Sequence, residues 1–109
     1  MPIKIGNINQ SKVGNSVAAT TVTAFTLPAQ AQIISVAGYG TITGAVTIQA
    51  RPINLVTPVT IGTVSAAQAA VGGNGDLTGV LPYDRQSVPV VITLQGATTG
   101  NIPVRVEYM

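Results

Sequence analysis

Apolar and polar residues alternate with a period of two over long stretches of this chain, the pattern of strands with one buried face. From Thr41 to Arg51, Ile42, Gly44, Val46, Ile48 and Ala50 share one face, and Thr41, Thr43, Ala45, Thr47, Gln49 and Arg51 the other. Such a segment is a half-buried antiparallel strand with a threonine-rich outer side. Gly44 within it predicts a bulge or a close backbone approach. Further on, Val88, Val90, Ile92 and Leu94 alternate with Pro89, Val91, Thr93 and Gln95. Ile102, Val104, Val106 and Tyr108 alternate in the same way with Pro103, Arg105, Glu107 and Met109. Between them Gly96-Ala97-Thr98-Thr99-Gly100-Asn101 is rich in turn formers, so the pattern predicts a terminal hairpin.

Weaker patterns fill the rest. Ser16 to Leu27 favours strand by β-branching, with Phe25 as a core anchor. Gln32–Ala37 and Val59–Val64 read as strands, Gly38-Tyr39-Gly40 as a bend, Leu77–Leu81 as a short strand and Pro82-Tyr83-Asp84-Arg85 as a turn. Only Ser65–Val71 has real helix propensity, for two turns at most. Residues 1–15 carry many Gly and Asn and few apolar side chains, and read as a flexible N-terminal arm with a short strand at Pro2–Ile5. The remainder, residues 16–109, reads as an all-β domain of about seven or eight short strands. The expected architecture is a single-domain antiparallel β-sandwich, jelly-roll or immunoglobulin-like. Its expected core includes Ile42, Val46, Ile48, Val90, Ile92, Val104 and Val106.

Composition changes the picture in one respect. Charged residues make up 7% of the chain, against about 25% in an average soluble domain. The net charge of +2 therefore comes from few charges. At 46% hydrophobic, with Thr, Gln, Asn and Ser as the main polar residues, the chain is not disordered. So little charge protects weakly against self-association, which points to a surface covered by copies of the chain or by a partner. Surface scaling for 11.0 kDa gives roughly 5,600 Å² folded against about 16,000 Å² unfolded, enough burial for one modest core. No apolar run reaches signal-peptide or membrane-helix length.

The side chains that usually carry chemistry are scarce. The chain has no His and no Cys, which removes the common metal ligands, the usual general base and the Ser-His and Cys-His nucleophile arrangements. Three carboxylates remain, Asp76, Asp84 and Glu107, far apart in sequence. Gly72-Gly73-Asn74-Gly75 lacks the Gly-Lys-Ser/Thr ending of a phosphate loop. Lys4, Lys12, Arg51, Arg85 and Arg105 are dispersed rather than patched, so nucleic acid is not an expected partner. No enzyme activity, cofactor or metal is expected.

The ending from Pro89 to Met109, PVVITLQGATTGNIPVRVEYM, resembles the C-terminal hairpin of small virion proteins of tailed bacteriophages. Those close with a Val/Thr strand, an Ala-Thr-Gly loop and a Val-Arg-Val-Glu-Tyr-like strand. The resemblance implies a structural role on the capsid surface of a virion, as a decoration or cement protein, with a capsid or other virion protein as partner and no membrane. Candidate interface residues are Lys4, Ile5 and Lys12 on the arm, Tyr39 between glycines, and Tyr83 with Arg85. A homo-oligomer, trimer first, is expected. Two other functions fit the same sequence: a glycan- or ligand-binding module centred on Tyr39 and Tyr83, and a subunit of an extracellular fibre assembled by strand addition.

Overall fold

The computed structural model describes residues 9–78 and 85–109. The strands are β1 Gln10–Asn15, β2 Thr21–Leu27, β3 Ile33–Gly38, β4 Ala45–Pro52, β5 Val59–Ser65, β6 Asp76–Leu77, β7 Val90–Gln95 and β8 Pro103–Tyr108. One short helix, α1 Ala66–Val71, follows β5 directly. The strands form two sheets, of three in the order β1-β8-β3 and of five in the order β2-β7-β4-β5-β6, with every pairing antiparallel. The fold is the all-β sandwich that the alternation predicts. Its pairs β1·β8, β2·β7 and β4·β5 are those of a jelly roll. The fourth such pair, β3 with β6, is reduced to an Ala37–Asn74 bridge and a 2.7 Å hydrogen bond from the Gly75 N–H to the Val36 carbonyl.

Both sheets turn one apolar face inward. Val104, Val106 and Tyr108 of β8 and Val36 of β3 meet Val46, Ile48, Val64, Ile92 and Leu94 of the larger sheet in one cluster. All seven residues expected in the core are buried. Each fully buried Val, Ile or Leu contributes about 1.5–3 kcal/mol relative to exposure. The accessible surface of 5875 Å² lies close to the compact-state expectation.

The terminal segment differs from expectation. β7 and β8 do not pair: β7 lies between β2 and β4 in one sheet, and β8 between β1 and β3 in the other. Residues 96–102 carry the chain across the sandwich. Ser16 secures the crossing from inside the core. Its N–H donates to the Ile102 carbonyl at 2.8 Å, and its hydroxyl donates to that carbonyl and accepts from the Ile102 N–H, both at 3.2 Å. Alternation marks which face of a strand is apolar, and two such faces are satisfied equally well side by side or opposed across a core.

Three local outcomes complete the fold. Residues 10–15, read as the end of an arm, form the edge strand β1, and residues 1–8 lie outside the described residues. Gly44 adopts a φ of 90° with its backbone beside Thr98, a close approach, while the bulge of this strand pair lies between Ile48 and Gln49. The expected helix forms with Ser65 as N-cap, in a capping box with Gln68.

Candidate functional site

The strand register lays out the outer face of the five-stranded sheet row by row, since residues directly opposed share a face. One row is Thr21, Gln95, Thr47, Thr63 and Asp76; the next is Thr23, Thr93, Gln49 and Thr60; a third is Thr26, Val91 and Arg51. Only Arg51 and Asp76 on these rows carry charge. Hydroxyls and amides are far cheaper to desolvate than ions and readily find partners across an interface.

A different surface lies on the outer face of the three-stranded sheet. Val13 opposes Arg105, and Arg105 opposes Ala37, so an apolar residue stands on each side of one guanidinium. With Tyr39 and Pro103 they line an open groove of about 260 Å³ that ends at Gly72. Tyr39 is 67% exposed and its ring lies against Gly72, just past the end of α1.

At the far end of β4 and β5, the loop of residues 53–58 presents aliphatic side chains to solvent. Ile53, Leu55, Val56 and the neighbouring Val59 are exposed, Val56 at 88%. Three hydrogen bonds of 2.9 Å fix the loop: the Ile53 N–H to the Pro89 carbonyl, the Leu55 N–H to the Pro52 carbonyl, and Arg51 Nη1 to the Leu55 carbonyl. Its apolar residues lie between two strand-forming runs and resemble strand ends, which hides them in the sequence. The usable signal is the bracket of Pro52 and Pro58 around Leu55-Val56, which stops either strand from running through.

Of the residues singled out from sequence, Lys4, Ile5 and Tyr83 lie outside the described residues. Lys12 is exposed on β1, opposite Val106. Tyr39 belongs to the groove. Arg85, at a φ of 41°, donates to the Gln30 carbonyl and to Gln32 Oε1, both at 3.1 Å, and so holds the β2–β3 connection. That connection follows Leu27, at the Pro52 end of the larger sheet, whereas Tyr39 follows Gly38 at the opposite end. The structure therefore does not bring Tyr39 and Arg85 together.

The described carboxylates are also apart and already engaged. Asp76 on β6 accepts from Gln68 Nε2 at 3.1 Å, and Glu107 on β8 accepts from the Ser35 hydroxyl at 3.2 Å. Among the described residues no group of three or more Asp or Glu is placed to hold a metal ion, and no helix is long and apolar enough to cross a membrane.

Fold and surfaces together define a two-sheet antiparallel β-sandwich with one sparsely charged broad face, one largely apolar groove and one apolar loop. The chain matches no family model, no curated protein and no solved structure.

Proposed function

We propose that this chain is a non-enzymatic structural protein that decorates or cements the capsid lattice of a virion through protein–protein contacts. The observation that carries this proposal is the outer face of the five-stranded sheet, where Thr and Gln fill two rows almost entirely and only Arg51 and Asp76 are charged. A broad face of this kind docks on protein at a low desolvation cost and offers hydroxyl and amide partners over its whole width. The jelly-roll order is compatible with the role, because capsid and lectin domains both use it, but a fold alone does not define a function. Several copies held together, in a trimer first, give strong attachment from individually weak contacts.

The test mixes purified protein with particles that lack it, then measures stoichiometry and resistance to heat and low salt. Saturable binding at lattice positions with increased particle resistance is the expected result. Failure to bind at any lattice position overturns the proposal. The exposed Tyr39 beside a groove supports a second function, recognition of glycans by an aromatic face. A glycan array with the purified protein separates the two.

A further inference from the structure

The apolar loop and the apolar groove sit at opposite ends of one molecule. β4 runs eight residues from Ala45, beside the start of α1, to Pro52, where the loop begins. At about 3.3 Å per residue β4 is some 23 Å long, so the loop and the groove lie at opposite ends of the sandwich and no copy fills its own. The loop is convex, uncharged and fixed in shape by its three hydrogen bonds. The groove is concave and apolar on both sides of Arg105, whose guanidinium donates no hydrogen bond within its own chain among the described residues. Its volume of about 260 Å³ exceeds the roughly 150 Å³ of an apolar cavity that holds one benzene-sized group, so it accommodates a branched aliphatic side chain with part of its neighbour.

We infer that the groove is the docking site for the loop of a second copy of this chain, with Leu55 and Val56 seated between Val13, Ala37 and Tyr39. Arg105 then donates to a backbone carbonyl of the incoming loop, as Arg51 does to Leu55 within one chain. Donor and acceptor surfaces are different parts of the molecule, so each contact is directional: two copies can exchange loops reciprocally across a two-fold axis, or the contact passes head-to-tail, as a heterologous one, to a further copy. The head-to-tail contact closes into a ring when the rotation between copies permits, and three copies are the smallest ring that leaves every loop and every groove occupied without two-fold symmetry. One loop in one groove buries less than the about 1,200 Å² at the lower end of stable interfaces, so each contact is weak and closure supplies the rest.

The experiment uses the protein by itself, without particles, so its failure is distinct from failure of the capsid role. Sedimentation equilibrium is run on wild type, Val56→Asp and Val13→Asp from about 10 μM to about 1 mM, the range where contacts of this size titrate. Asp at position 13 would stand opposite Arg105 on an exposed strand, a setting that tolerates it. Tyr39→Lys serves as a second groove variant, and circular dichroism confirms that each variant folds. Wild type is expected to gain mass with concentration, and each single variant to stay monomeric to at least tenfold higher concentration. An equimolar mixture of a loop variant and a groove variant keeps one intact loop facing one intact groove, and should form a two-chain species and nothing larger. Monomeric wild type throughout, association of Val56→Asp equal to wild type, or a mixture that stays monomeric or grows beyond two chains would each overturn the inference.

Discussion

The two long sides of the sandwich are finished in different ways. On one side backbone joins the sheets. The segment entering β6 donates from Gly75 to Val36 of β3, β6 pairs with β5, and the Gly40 N–H reaches the Ala69 carbonyl of α1 at 3.0 Å. On the other side β1 and β2 end their sheets with no strand beyond them among the described residues. Those edges carry local guards instead. Lys12 projects from β1, and β2 has a register shift between Thr23 and Phe25 that breaks the flat ladder a foreign strand would extend. A seam made of backbone hydrogen bonds depends on exact fit, whereas a guarded edge depends on charge and twist. Substitutions on the first side should therefore cost stability, and on the second side solubility.

The largest effect should come from the strand that serves both sides. β8 pairs with β1 at the open side and with β3 at the joined side, and Val106 lies on its inward face at 0% exposure. Val106→Asp should cost more than about 4 kcal/mol by burying an unpaired charge, leaving no cooperative transition in urea. Val104→Ala should cost less, because it leaves only a cavity. Next comes Gly75→Ala at the seam. A Cβ there would collide with the Thr63 carbonyl, so denaturant titration should show a loss of roughly 2–3 kcal/mol. An unchanged midpoint would mean that the joined side does not depend on close fit.

Ser65→Ala removes the cap of the helix that supports this seam and should cost about 1 kcal/mol in the same assay. The smallest thermodynamic effect belongs to the open side. Lys12→Thr should move stability by less than about 0.5 kcal/mol yet raise light scattering on storage, because the edge loses its charge. Loss of stability without a rise in scattering would reverse the assignment of the two sides.

What the sequence disclosed follows the same division. Side chains that alternate report burial directly, so the core residues of β4, β7 and β8 were legible, as was the helix at Ser65–Val71. Pairing partners were not, because hydrogen bonds between strands come from backbone that every residue shares. Hence β7 and β8 read as a hairpin although a core separates them. β1 was hidden for a related reason. Gln10–Asn15 is exposed along nearly its whole length, so its sequence carries no apolar rhythm, and only the position of β8 makes it a strand. On the surface, Tyr39 was legible by its size and its flanking glycines. The groove beside it was not, since Val13, Ala37 and Arg105 come from three strands brought together by register. The Leu55–Val56 loop was hidden by its likeness to the strands it connects.

The direct pairing of Gln10 with Tyr108 also bears on how the protein is made. Partners separated by almost the whole described chain meet only after every intervening loop has closed, and folding slows as that separation grows. β1 and β2 leave the ribosome well before β8 and β7 exist to receive them. During that interval Val22, Phe25 and Leu27 have no sheet to lie against, and the nascent chain is open to association with other nascent chains. The sandwich therefore completes in one late step, after translation has delivered β8, and its yield in a cell should rise when chaperones are abundant to cover the exposed strands in the interval.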